Sequence, residues 1–384
     1  MPRFLHTADW QIGRQYGSLP PDNAVPLAQA RYAAVERLAQ LATAQQVDAV
    51  LVAGDVFDAQ TVSDRCIRQL FNALAAHAGP WILLPGNHDA ALTESVWTRA
   101  LRLAAVPPNV HLALSPQQLD FADRGFVVLP APLTQRHTYS DLTAWFDTAE
   151  TEPGRVRIGL AHGSVQGVLA EQIDSANPIA PDRPERARLD YLAMGDWHGC
   201  KAIQPRLWYS GTPETDRFKA NDSGRALLVD VAHAGAEPQV TVLETGQFRW
   251  TSLEATLQVA SDLDGLLDRL AALTARDVVD LSVSGPIDLA GHQRLQAALG
   301  RAEAQARHLA ADLGGLRLDP TDEDLAGLHA DGYLGEVIDE LRETRRAGGE
   351  AAGVAQDALM LLTAALAARQ GTADAPALPA GAAA

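Results

Sequence analysis

The chain has 384 residues, enough for two or three domains, and its 47% hydrophobic and 21% charged content is that of a globular protein. Two cysteines, Cys66 and Cys200, exclude a disulfide framework. No run reaches the ~20 apolar residues of a membrane span, and the opening "MPRFLHTAD" has no signal-peptide core, so a cytoplasmic protein is expected. A net charge of −17, with Lys201 and Lys219 the only lysines, excludes bulk attraction to phosphate backbones but not a local patch or a metal site.

Phe4 and Leu5 open a first strand that runs into "HTADWQIG". Residues 27–46 carry helical periodicity, and so do residues 61–79, where Ile67, Leu70, Phe71 and Leu74 recur on one face. Apolar runs that read as strands cover 47–55, 80–89, 125–132, 155–163 and 189–196. Strands alternating with helices predict an α/β fold around mainly buried sheet. Residues 225–232 and 238–245 read as a closing antiparallel pair. "RWTSLEATLQV" (249–259) starts a new unit: helix 262–274, strand 277–285, helix 289–311 and strand 314–320. From Asp322 the pattern is helical and acidic, and the Ala/Pro/Gly-rich stretch 372–384 reads as a disordered tail. The expected parts are therefore 1–248, an α+β unit 249–320, a helical segment 321–371 and the tail.

Polar clusters stand where the apolar runs end: Asp9 and Gln11; Asp55 and Asp58 in "GDVFD"; Asn87, His88 and Asp89 in "GNHD"; His162 in "AHG"; Asp196 and His198 in "GDWHG". Each has a bland reading, because GD and GN are turn dipeptides and a carboxylate after a strand often caps a helix. Five such ends together make a pocket at the strand C-termini, rich in the oxygen and nitrogen ligands of divalent metals. His6 reads as packed in its strand and Cys200 as a buried thiol. Arg136 and His137 read as solvated loop residues outside the site.

The ordered set Asp9-x-Gln11, Gly54-Asp55-x-x-Asp58, Gly86-Asn87-His88-Asp89, His162-Gly163 and Gly195-Asp196-Trp197-His198 resembles the calcineurin-like metallophosphoesterases. The run "YSGTPETDRF" (209–218) and the following α+β unit are similar to the SbcD-type nucleases, including the YhaO-like group, where that unit is a capping domain. The resemblance implies a four-layer β-sandwich flanked by helices and two divalent ions, most simply Mn²⁺, with Mg²⁺ as an alternative, clamping a phosphodiester. Asp55 matches the bridging carboxylate, Asp9 and His198 match ligands of the first ion, and Asn87, His162 and Asp196 match ligands of the second. His88 matches the catalytic histidine that stabilises the transition state or protonates the leaving oxygen.

Two positions depart from the family pattern. Gln11 stands where a metal-binding histidine is usual, and Asp196 replaces the first histidine of GHxH. Exchanging two nitrogens for oxygens either moves the site toward Mn²⁺ or Mg²⁺ or weakens the first ion. Gln11 is expected in the first ion's shell, directly or through water. The resemblance implies a DNA nuclease that processes ends, duplexes or hairpins in break repair. It implies an SbcC-like SMC-type ATPase as partner, joined through the C-terminal helices, and a homodimer within a heterotetramer. The rivals are a small-molecule phosphodiesterase or phosphatase and a weakly catalytic scaffold at DNA ends.

Overall fold

The structure, a computed structural model, describes residues 1–168, 176–321 and 333–373. It divides into two compact units, Met1–Trp250 and Thr251–Ala384.

In the first unit, β1 (Arg3–Thr7) is followed by α1 (Pro21–Ala44), β2 (Ala49–Val52), α2 (Asp64–Ala73), β3 (Trp81–Leu83), α3 (Val96–Arg102) and β4 (Val110–Leu112). β5 (Leu119–Phe121), β6 (Phe126–Ala131), β7 (Val156–His162), the two-residue strands β8 (Ser164–Val165) and β9 (Pro178–Ile179), and α4 (Arg183–Arg186) come next. β10 (Tyr191–Gly195), β11 (Lys201–Gln204), β12 (Leu207–Tyr209), β13 (Arg225–Asp230) and β14 (Gln239–Glu244) complete the two main sheets. One sheet has the order β14-β13-β1-β2-β3-β4 and the other β11-β12-β10-β7-β6-β5. β1 to β4 run parallel, as do β6, β7 and β10, while β13 and β14 form the antiparallel pair expected from the sequence.

Period-two alternation sorts each strand between two cores. In β1, Leu5 joins Tyr32, Val35 and Leu38 of α1 and Ile67 and Phe71 of α2, on the helical side of its sheet. Phe4 points the other way, into a layer shared with Phe126, Ile158, Leu160 and Tyr191 of the second sheet. A third cluster, including Leu129, Phe146, Leu192 and Met194, covers the far face of that sheet. The result is the α/β sandwich of helices, sheet, sheet and short helical turns.

α1 begins six residues before the periodic stretch and runs through Pro26, with Pro21 at its first position. Pro26 removes one hydrogen bond from an early, partly exposed turn. α2 starts at a Ser63 cap, whose hydroxyl accepts from the Cys66 N–H.

In the second unit the sheet has the order β15 (Arg249–Thr256), β16 (Asp277–Ile287), β17 (His308–Leu318), with α5 (Ala260–Ala271) and α6 (Leu289–Gln305) closing a core of Leu266, Leu270, Leu281, Val283 and Leu295. The sequence pattern carried a helix through residue 311. Instead α6 stops at Gln305, and residues from His308 onward pair in parallel with β16. Pairing with β16 overrides local propensity there. α7 (Tyr333–Ala347) and α8 (Glu350–Ala373) follow, with Ile338 and Leu359 buried between them. The acidic start of the helical segment, 322–332, and nearly all of the expected tail, 374–384, lie outside the described residues. Among those described, no helix is long and apolar enough to cross a membrane.

Candidate metal centre

The parallel strands β1, β2 and β3 of one sheet and β7 and β10 of the other deliver their C-terminal ends to one place. Asp9 comes two residues after β1, Asp55 three after β2 and Asn87 four after β3; His162 ends β7 and Asp196 directly follows β10. The first two loops are zipped by backbone bonds from Asp9 N–H to Gly54 C=O (3.0 Å) and from Gln11 N–H to Asp55 C=O (2.8 Å). The Asp196 N–H donates to Asp9 Oδ1 (3.1 Å), which ties the two sheets' ends together.

The turns are tight. Asp9 (φ 55°), Gln11 (44°), Asp55 (52°), Asp196 (102°) and His198 (28°) all take the positive φ that side chains disfavour. At Gly86 a Cβ would fall onto the Asp55 carboxylate, and at Gly54 (φ 90°) onto the His162 ring. Both glycines are there so that loops and ring can close in.

His162 organises one half of the cluster. Its Nδ1–H donates to Ala53 C=O (2.8 Å), so that Nε2 faces inward and offers its lone pair when the ring is neutral. Around Nε2 stand Asn87 Oδ1 at 3.0 Å, Asp55 Oδ1 at 3.5 Å and Asp196 Oδ1 at 3.6 Å. The Asn87 oxygen also faces both Asp55 oxygens, at 3.1 and 3.2 Å. Turning that amide over would offer its NH₂ to them; a cation among the four acceptors satisfies all of them at once. Donor atoms of Asp9, Asp55 and His162 lie within 4.8 Å of one another, and all three residues are buried.

The electrostatics point the same way. Burial, with Asp55 and Asp196 adding repulsion against the pull of His198 and His162, raises Asp9 to about 6. Burial alone would lower His162, but Asp55, Asp196 and Asp9 outweigh it and raise the ring to about 9. Burial and Asp55 push Asp89 up to about 7, although its carboxylate accepts from the Gly86 N–H (2.6 Å) and the Phe57 N–H (3.0 Å). Crowded, desolvated carboxylates of this kind are short of positive charge. One imidazole nitrogen with several oxygens is a donor set suited to a hard divalent ion.

The other half is built differently. Gln11 Oε1 accepts from Arg14 Nη1 at 2.6 Å, so its NH₂ is what faces His198 Nε2, at 3.1 Å. His198 Nδ1 lies 3.1 Å from Asp216 Oδ2. Arg14 Nη1 stands 3.2 Å from the same carboxylate oxygen, and Arg217 Nε 3.0 Å from its other oxygen. Burial would raise Asp216, but His198, Arg31 and Arg217 hold it well below the usual carboxylate range.

His88 stands beside Asp55 at the edge of the cluster. Its Nδ1–H donates to Asp58 C=O (2.8 Å), which aims Nε2 toward Asp55, 3.9 Å from Oδ2. The ring is half-buried and lines a cleft together with Asn87, Asp58, Gln60 and Arg136. Of the candidates set aside, His6 is packed between Tyr191 Oη (2.9 Å) and Met194 C=O (3.1 Å), and the Cys200 thiol is half-buried and raised by burial. Sequence reasoning passed over Arg14, Asp216 and Arg217 and left out Arg136. The run "TPETDRF" marked the place of two of them but gave no reason to bring them to His198.

The calcineurin-like phosphoesterase family model matches residues 2–200. The chain belongs to that family. Among relatives of this phosphoesterase is the SbcD component of the nuclease SbcCD of Rhodobacter capsulatus, 32% identical over 194 residues, covering 47% of this chain and 46% of that protein. The protein of the same name from Escherichia coli K12 is 34% identical over 252 residues, covering 55% of this chain and 60% of its own. The uncharacterized metallophosphoesterase YhaO of Bacillus subtilis is 24% identical over 244 residues, covering 60% and 57%. The phosphoesterase thus spans about half the length of these relatives.

Proposed function

We propose that the chain is a divalent-metal-dependent phosphodiester hydrolase that acts on DNA. The observation that carries this is the convergence of the Asp55 and Asp196 carboxylates and the Asn87 amide on the inward Nε2 of His162. Asp55, Asn87, His162 and Asp196 would hold the ion, with Asp9 adding anionic charge behind them. The weight of oxygen in that set favours Mn²⁺, with Mg²⁺ second. When bound, such an ion polarises the phosphoryl group and acidifies water.

The protein's own residues supply the rest. Ala53 C=O fixes the His162 tautomer, and Asp89 holds the Gly86 turn against the Phe57 backbone, so the donors keep their directions. His88, fixed through Nδ1, has Nε2 free to donate a proton to the leaving oxygen or to stabilise charge on the phosphoryl group. Arg136 in the same cleft offers charge to a neighbouring phosphate.

The DNA assignment is supported by the relatives' names and by a local patch. Both lysines of this acidic chain stack over Trp197, between Asp196 and His198, with Nζ 4.2 Å (Lys219) and 5.9 Å (Lys201) from the ring centroid. A lysine pair and an aromatic face beside the cluster suit a strand with phosphates and bases. By the same resemblance, residues 249–320 serve as a capping domain. Residues 321–371 would join an SbcC-like ATPase, through helices that leave Tyr333, Val354 and Leu361 exposed. Break repair by a homodimer within a heterotetramer belongs to that analogy.

The test is Mn²⁺-dependent digestion of end-labelled duplex DNA beside hydrolysis of bis(p-nitrophenyl) phosphate. Both activities should appear with Mn²⁺ and vanish with chelator. Cleavage of the small diester with intact DNA would overturn the DNA assignment; inertness toward both would overturn the hydrolase.

A further inference from the structure

The family pattern implies a second ion bounded by Asp9, Gln11, Asp55 and His198, and the donors found there do not fit one. An amide can ligate a metal only through its oxygen, and the Gln11 oxygen is engaged by Arg14. What Gln11 turns to His198 Nε2 is an NH₂ group without a lone pair to give. The imidazole is occupied on its other edge too, by Asp216 at 3.1 Å, and Arg217 Nη2 lies 2.9 Å from its Nδ1 and 3.3 Å from its Nε2.

Asp216 anchors this arrangement. Its side chain has no exposure, and it gathers two guanidinium groups at one end of the cluster. Arg14 and Arg217 together carry the formal charge of one divalent ion. Their side chains keep 26% and 42% of their exposure, so their free N–H groups are open to a ligand. A guanidinium matches the geometry of phosphate oxygens and keeps its charge at any working pH.

We propose that this half of the site takes no metal, and that Arg14 and Arg217, braced by Gln11 and Asp216, form a cationic fork that grips the non-bridging oxygens of the substrate's phosphate. The protein then binds one divalent ion per chain. This rests on the metal-dependent phosphoester reading above but not on DNA as the substrate.

The test uses the full chain, stripped with chelator, loaded with Mn²⁺ and freed of excess by gel filtration. Elemental analysis should give one Mn²⁺ per chain, with the spin-resonance spectrum of an isolated ion. Inorganic phosphate, titrated calorimetrically, should bind about ten- to a hundredfold more weakly to Arg14→Gln and to Arg217→Gln, with the Mn²⁺ count still one. Gln11→Met, which keeps the side-chain length and frees Arg14, should weaken phosphate in the same direction. Two Mn²⁺ per chain with an exchange-coupled spectrum would overturn the fork while leaving the hydrolase intact. Phosphate affinity unmoved by all three changes would also overturn it. No bound Mn²⁺ would overturn the metal-dependent reading and the fork with it.

Discussion

Asn87 and Gln11 are both carboxamides on loops leaving the same edge of one sheet, and they face the cluster in opposite ways. Asn87 turns its oxygen inward, among Asp55 and His162, where every neighbour is also an acceptor. Gln11 turns its oxygen away to Arg14 and its NH₂ inward to His198. Around Asn87 the acceptors are satisfied either by an added cation or by turning the amide over; around Gln11 two arginines and Asp216 complete the hydrogen bonding. The same side-chain chemistry sits among acceptors in one place and between a guanidinium and an imidazole in the other.

The largest expected effect comes from Asp55, which adjoins Asn87, His162 and His88. Asp55→Asn should lower diester turnover by about 10³-fold or more, since several kcal/mol of metal stabilisation goes with the ligand. The same change removes a buried like charge, so the chelator-treated variant should melt about 3 °C above the parent. Loss of activity with an unchanged or lower melting temperature would mean that the attraction of Asp55 for His162 outweighs its repulsion of Asp9 and Asp89. Next comes His88→Ala, expected to cost about 10²–10⁴-fold in rate with metal content unchanged. A metal count that falls in step with the rate would make His88 a ligand instead.

Arg31 tests the closed half through stability. It is buried and donates to Trp10 C=O (2.6 Å), Asp9 C=O (3.0 Å) and Thr212 Oγ1 (3.1 Å). Arg31→Met should cost about 3 kcal/mol in urea unfolding, because several buried acceptors lose their donor. Under 1 kcal/mol would show that water replaces the guanidinium cheaply. His6 acts only in acid, below pH 6.5, and serves as a control. Burial holds it neutral down to about 3, so the unfolded chain takes up the proton first. Its contribution is complete above pH 6.5 and is lost as the pH falls from 6.5 toward 3, at roughly 1.4 kcal/mol per pH unit. His6→Gln should flatten that acid slope, and an unaltered slope would place the acid sensitivity elsewhere.

The sequence made much of the architecture legible, because Leu5, Leu51 and Ile82 sit in short apolar runs whose ends are punctuated by GD and GN turns. Counting along those runs was enough to bring Asp9, Asp55, Asn87, His162, Asp196 and His198 together. Hydrogen-bond direction is not written in a sequence. Gln11 was expected to face a metal with its oxygen, and nothing in "QIGR" tells that Arg14 folds back to engage it. Asp216 lies 18 residues beyond His198, and only the return of that loop joins them. Arg31 sits in a stretch of amphipathic helix, where an arginine reads as solvated, although the helix buries it. Of the strand 308–318 only the second half was read from the sequence; the alanines and leucine of its first half favour helix until a parallel partner is present.

The pairing of both lysines with Trp197 has a practical side. Lysine-directed reagents meet only two side chains in these 384 residues, and both lie over a ring flanked by Asp196 and His198. A fluorophore or resin coupled through either lysine would sit on that aromatic patch. Lysine immobilisation would thus hold the chain at that one patch, whereas coupling through the thiol of Cys66, in the first turn of α2, would anchor it from a helical surface instead.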